Sequence, residues 1–163
     1  MRYHNITKDD MLNGEGLRTV LWVAGCSHHC PQCHNPVTWD INGGLVFDEQ
    51  AKEELFEELK KDYVSGVTFS GGDPFHLENR EEIGALAKEI REKFPDKTIW
   101  LYTGYGWEEI CHLSFLSNID VIVDGKFKIE EKDNNLHWKG SANQRVIDVK
   151  ASLRAGEVRL YQE

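Results

Sequence analysis

Apolar and polar positions along the chain alternate between two periods. Thr19-Val-Leu-Trp-Val-Ala24 is a short apolar run stopped by Gly25, the pattern of a buried strand. Over residues 48–61 the period lengthens: Ala51, Leu55 and Leu59 recur every four residues, which predicts a helix that Asp48 can cap. Gly66-Val-Thr-Phe-Ser70 predicts a second strand, halted by Gly71-Gly72. Residues 79–94 predict a second helix with Ile83, Leu86, Ala87 and Ile90 on its inner face. Asn79 and Glu82 have capping-box spacing there, and Pro95 follows. A third strand is predicted at Thr98-Ile-Trp-Leu-Tyr102, then a helix over 107–116 with Ile110 and Leu113 on one face. Ile119-Asp-Val-Ile-Val123 predicts a fourth strand, closed by Asp124-Gly125. Residues 125–143 are polar and irregular, Arg145-Val-Ile-Asp-Val149 predicts a fifth strand, and 158–161 adds an edge strand.

Short strands alternating with helices predict an α/β fold with five or six mainly parallel strands and right-handed crossovers. No repeat or linker interrupts the pattern, so residues 1–163 form a single domain. Parallel sheets place their sites at the carboxyl ends of the strands. The polar motifs fall at that edge: cysteines after the first strand, Ser70-Gly-Gly-Asp-Pro74 after the second, Thr103-Gly104 after the third and Asp124-Gly125 after the fourth. Four separate segments are thereby expected to converge.

Composition narrows the partners. A net charge of −9 argues against nucleic acid and anionic membranes. Lys126, Lys128 and Lys132 cluster locally, but Glu130, Glu131 and Asp133 neutralise them, as in a solvated loop. No apolar run approaches the ~20 residues of a membrane helix, and Met1-Arg-Tyr-His-Asn-Ile-Thr lacks the apolar core of a signal peptide. Cytoplasmic residence is the expectation, and there clustered cysteines serve as metal ligands more often than as disulfides.

Those cysteines are Cys26-Ser-His-His-Cys30-Pro-Gln-Cys33, a Cys-x3-Cys-x2-Cys run. Three thiolates this close can hold an iron–sulfur cube with one iron left open, whereas four would close it. Structural zinc accepts similar spacings and three-cysteine, one-histidine sets, and His28, His29 and His34 lie nearby. Spacing alone leaves both readings open. Cys111, beside Ile110, reads as a core residue. Gly71 and Gly72 would let backbone approach a ligand closely, or form a plain turn. Asn13-Gly-Glu-Gly-Leu-Arg18 reads as a turn before the first strand. His34 and Asn35 follow the last cysteine, beside any metal or as loop caps. Trp22 and Trp100 lie in predicted strands and read as core, whereas Trp39 and Trp138 lie in loops.

With Gly-Gly-Asp-Pro after the second strand, the cysteine run resembles the radical S-adenosylmethionine (SAM) superfamily. Asn-Gly-x-Gly-x-Arg at 13–18 and the Cys33-His34-Asn35 ending are similar to its glycyl-radical activating enzymes. Val123-Asp-Gly-Lys-Phe127 and Gly140-Ser-Ala-Asn-Gln-Arg-Val-Ile-Asp-Val149 look like the activating components of anaerobic ribonucleoside-triphosphate reductases. The resemblance covers residues 1–150 and is most specific over 140–149. Two positions depart from the pattern: Gln32 stands where the subgroup often has glycine, and Glu15 where it usually has proline.

The resemblance implies a truncated, laterally open (β/α) partial barrel of radical SAM type. Cys26, Cys30 and Cys33 would hold a 4Fe–4S cluster whose open iron chelates the amino and carboxylate groups of SAM as cosubstrate. The backbone of Ser70, Gly71 and Gly72, with Asp73, would position the methionine part, and Gln32 and His34 would line the adenine side. An external donor, typically flavodoxin, would reduce the cluster. SAM would split into methionine and a 5′-deoxyadenosyl radical, which takes hydrogen from a glycine near the C-terminus of the large reductase subunit. Cofactor and cosubstrate carry this chemistry, so no catalytic acid or base is named. The expected partners are that subunit, an electron donor and, in some assemblies, a second copy of the chain. Segment 125–143, with Trp138, is expected to help dock the reductase. Other compact radical SAM enzymes are the alternatives within the superfamily: a pyruvate formate-lyase-type activase or a deazaguanine synthase-like enzyme. A non-catalytic, zinc-stabilised interaction module is the alternative outside it.

Overall fold

A computed structural model describes residues 1–30 and 36–162 of the chain. Seven strands form one open sheet: β1 (Arg2–Asp10), β2 (Arg18–Val23), β3 (Leu45–Val46), β4 (Gly66–Gly71), β5 (Thr98–Tyr102), β6 (Val121–Asp124) and β7 (Arg145–Asp148). Their spatial order is β3-β1-β2-β4-β5-β6-β7. The central β2, β4, β5 and β6 run parallel, joined in register from Arg18–Gly66 to Tyr102–Val123. The flanks are antiparallel: β1 on β2, β3 on β1 and β7 on β6.

The sheet has seven strands where the pattern predicts five or six; the expected parallel pairing joins the four central strands, and the flanking pairs are antiparallel. β1 carries Arg2, His4, Asn5, Lys8, Asp9 and Asp10, and only Ile6 of it is buried. A solvated flanking strand lacks the apolar signal that identifies a core strand. The predicted edge strand at 158–161 reduces to one bridge between Leu160 and Ile147.

The helices are α1 (Glu49–Leu59), α2 (Arg80–Lys93), α3 (Trp107–Ile110) and α4 (Val149–Ala155). Asp48 caps α1 as predicted, accepting the Ala51 amide at 2.9 Å. Asn79 does not form the predicted capping box: it makes no side-chain cap bond, and its amide donates instead to Ala24 O at 2.8 Å. The third helix ends at Ile110, because Leu113 is extended (ψ 125°) and residues Ser114–Asn118 turn separately as a 3-10 segment. Val149 belongs to α4 rather than to β7, with Asp148 as its cap.

Leu21, Val23, Val67, Phe69, Ile99, Leu101, Ile122 and Ile147 face the helices and bury against Leu55, Leu59, Ile83, Ala87 and Ile90. Alternation along each strand sends the intervening residues to the other face. There Trp100, Val121 and Val123 are covered by Trp138 and Tyr161 from irregular segments. Trp100 is core as predicted, whereas Trp22 is half-buried and donates to Thr7 Oγ1. Arg18 seals the amino-terminal end of this face. It is fully buried and bonds Thr68 Oγ1, Thr98 Oγ1 and the carbonyls of Glu15, Val67 and Thr98 at 2.8–2.9 Å. Burial lowers its pKa to about 10. No helix among the described residues is long and apolar enough to cross a membrane.

Candidate functional site

After β2 the backbone turns through Ala24 and Gly25 into the cysteine loop. Gly25 has φ +106°, and a Cβ there would come within 2.3 Å of Ile41 Cδ1. Chain returning from the loop pairs with chain entering it: Gly25 N–H donates to Thr38 O at 2.6 Å, and Cys26 N–H to Trp39 O at 3.1 Å. The loop is thus closed at its base by backbone hydrogen bonds. Cys26 and Cys30 sit in it half-buried. Burial pushes the Cys26 thiol up, and the backbone at His28 and His29 opposes that rise. The His29 ring stacks on Trp39 at 4.4 Å, and the buried Trp39 Nε1–H has no partner among the described residues. Gln32, Cys33, His34 and Asn35 lie outside the described residues.

The turn after β4 packs directly against this loop. Gly71 has φ +102°, and a Cβ on Gly72 would lie 2.5 Å from Gly25 O and 2.7 Å from Thr38 O. These glycines therefore permit close approach of backbone to backbone at the strand ends. Gly72 N–H donates to Val23 O and Asp73 N–H to Gly25 O, so the two segments are stitched together.

Asp73 is the centre of the arrangement. Its carboxylate is 1% exposed and accepts four hydrogen bonds. Oδ1 takes Phe75 N–H at 2.9 Å and Thr103 Oγ1–H at 2.8 Å; Oδ2 takes His28 Nε2–H at 2.7 Å and Gly104 N–H at 2.9 Å. Of the four segments expected to converge, Asp73 joins the three after β2, β4 and β5. Asp124, after β6, is also spent within the protein. It accepts Trp107 N–H at 2.8 Å and pairs with Arg145 at 2.6 Å, which raises the Arg145 pKa.

His28 is the residue whose role was hardest to foresee. Between two cysteines it reads as a zinc ligand, yet its partner is a carboxylate 45 positions along the chain. No local pattern announces such a pairing. Cys111 is corrected outright: it is exposed, because Ile110 takes the core face and the next helical residue turns about 100° away. Cys111→Ser should therefore leave both the melting midpoint and the iron content near wild type; loss of iron would show that it serves the metal centre.

The most specific motif proves to be a lock on the segment after β6. Gln144 Oε1 accepts the amides of Gly140 and Ser141, and Gln144 Nε2–H donates to Gly125 O. Asn143 donates to Lys126 O at 2.8 Å, and Arg145 holds Asp124. The motif specifies a connection between β6 and β7. Glu15, a departure from the family pattern, accepts from Tyr161 OH and ties the C-terminal segment to the turn before β2.

Comparison with known proteins agrees with this geometry. Residues 12–147 match a family model described as a 4Fe-4S single cluster domain. That match favours an iron–sulfur cofactor over the zinc reading that spacing left open. Similarity extends to anaerobic ribonucleoside-triphosphate reductase-activating proteins of several organisms. That of Enterobacteria phage T4 is 44% identical over 146 residues, covering 90% of this chain and 93% of its own. Those of Escherichia coli K12 and Haemophilus influenzae are each 39% identical over 150 residues, covering 90% of this chain and 97% of theirs. The chain belongs to the family of anaerobic ribonucleoside-triphosphate reductase-activating proteins, built on a single-cluster 4Fe–4S domain.

Proposed function

We propose that this protein activates an anaerobic ribonucleoside-triphosphate reductase by generating a glycyl radical near the C-terminus of its large subunit. Cys26, Cys30 and Cys33 would hold the 4Fe–4S cluster, with one iron open to the amino and carboxylate groups of SAM. When bound and reduced by a donor such as flavodoxin, the cluster supplies the electron that cleaves SAM to methionine and a 5′-deoxyadenosyl radical. The protein's own residues position and enclose. Backbone of Ser70, Gly71 and Gly72 would lie along the methionine part, and Gln32 and His34 would flank the adenine. Asp73 contributes through its neighbours, since all four of its hydrogen bonds are internal. One observation carries this reading: the Gly71–Gly72 turn is bonded to the base of a half-buried thiol loop at the carboxyl edge of a parallel sheet.

The sheet is read as a laterally open partial barrel. Its inner face carries Trp100, Val121 and Val123 and is covered by Trp138 and Tyr161. The cover is held by Tyr102 OH donating to Trp138 O at 2.6 Å and by ring contacts of 4.9 and 5.2 Å to Trp100. A protein substrate must present backbone to this site, and segment 125–143, with Trp138, is the candidate for part of the surface that docks it. Trp138→Ala is expected to lower stability by about 1–3 kcal/mol in denaturant unfolding, since a half-buried aromatic contact is lost. The same variant should activate reductase less well while keeping its iron; unchanged activation would remove Trp138 from the docking surface.

The deciding experiment uses anaerobically purified protein, reconstituted with iron and sulfide and then reduced. Formation of 5′-deoxyadenosine from SAM, and a glycyl radical signal on co-expressed reductase, are the expected results. Bound zinc without iron–sulfur absorption would overturn the proposal. SAM cleavage with no reductase radical would redirect it to another radical SAM substrate.

A further inference from the structure

His28 contacts two parts of the site at once. Its backbone belongs to the loop between Cys26 and Cys30. Its ring reaches the other way, with Nε2 2.7 Å from Asp73 Oδ2 and the side chain 7% exposed. A carboxylate oxygen only accepts, so Nε2–H is the donor. Gly104 makes room for the ring: a Cβ there would lie 2.5 Å from His28 Cδ2. Tyr105 packs edge-on at 4.7 Å, and Arg80 lies over the Tyr105 ring at 5.2 Å. The imidazole is thus confined by segments following β4 and β5, although it belongs to the loop following β2.

Cys-x3-Cys spacing does not require histidine at this position. Any residue would preserve the distance between the two thiols, whereas few could span from the loop to Asp73. The pairing also reaches past Asp73, because Oδ2 accepts Gly104 N–H as its second donor and Oδ1 accepts Thr103 Oγ1–H. The backbone bonds at the base of the loop, which join it to the Gly71–Gly72 turn, do not involve the His28 ring.

We propose that His28 is a positioning residue that sets the separation between the cysteine loop and the Ser70–Asp73 turn. A ligand bound across both then meets them already in register. The proposal rests on SAM being that ligand. Misplacement of a binding element by about 1 Å can reduce reaction about 10²-fold, so a brace here has a kinetic consequence.

The test compares His28→Phe, His28→Gln and Thr103→Val with wild type, each reconstituted anaerobically. Readouts are iron and sulfide content, the SAM dissociation constant, and the change that SAM causes in the electron paramagnetic resonance spectrum of the reduced cluster. His28→Phe should keep its iron, bind SAM at least about 10-fold more weakly and lose the wild-type spectral change. His28→Gln carries an amide donor that can reach Asp73 and should remain within about 3-fold of wild type. Thr103→Val, which removes a different Asp73 donor, should weaken SAM binding in the same direction by a smaller factor. Wild-type affinity and spectrum in His28→Phe would overturn the proposal, as would equal loss of iron from both His28 variants. Should His28→Phe fail to fold, unchanged affinity in Thr103→Val overturns it instead. A wild-type protein that neither binds nor cleaves SAM would refute the functional reading itself, an outcome distinct from all of these.

Discussion

Cys26→Ala should yield a folded protein with almost no cluster, no SAM cleavage and no activation of reductase. The thiol is small and half-buried, so its loss should cost less than about 1 kcal/mol of stability. The metal site is far more sensitive. Cys26 is anchored by its own N–H, which donates to Trp39 O. No other described cysteine can replace it, since Cys111 lies exposed at the end of α3. Iron and sulfide analysis should fall to background while the circular dichroism spectrum stays that of wild type. Full iron content in the variant would remove Cys26 from the ligand set and force a different reading of the loop.

Asp73→Ala should be the most destabilising single change near the site. It strands four donors in a buried place: His28 Nε2–H, Phe75 N–H, Thr103 Oγ1–H and Gly104 N–H. Each buried unsatisfied donor costs about 1–3 kcal/mol, and entry of water recovers part of the sum. A net loss of about 3–5 kcal/mol in denaturant unfolding is expected, a large share of the ~5–15 kcal/mol of an ordinary domain. Asp73→Asn should fall between this variant and wild type, because one amide oxygen remains an acceptor while the NH2 group faces donors. A loss below about 1 kcal/mol for Asp73→Ala would mean that the strand ends are held by backbone bonds alone.

Segments that bury one face were legible in the sequence. The period-four apolar residues of α1 and the apolar runs of β2, β4, β5 and β6 carry signals that burial imposes directly on residue type. β1 was not legible, because a flanking strand paired on its neighbour and largely solvated needs no apolar alternation. The third helix was overextended because Leu113 and Leu116 continue a helical spacing through a chain that turns at Leu113. Asn79 shows the same kind of competition: its local motif favours a cap, but the nearby Ala24 carbonyl is the partner it takes.

By itself the sequence determined that clustered thiols follow a strand at the carboxyl edge of a parallel sheet; their spacing left iron–sulfur and zinc both open, and the match to a 4Fe-4S domain family favours the first. Thiolate spacing, and glycines at a strand end, are constraints that chemistry writes into adjacent residues. Tertiary structure decided how that edge is assembled. Asp73 reads in sequence as one more ligand contact, but the fold surrounds it with His28, Thr103, Gly104 and Phe75 and makes it the joint between three strand ends. Asn143, Gln144 and Arg145, the most distinctive run in the chain, are consumed in fastening the connection after β6. The physical reason is common to both. A buried polar group must find partners, and those partners come from whichever segments the sheet order brings alongside, at separations along the chain that no local pattern records.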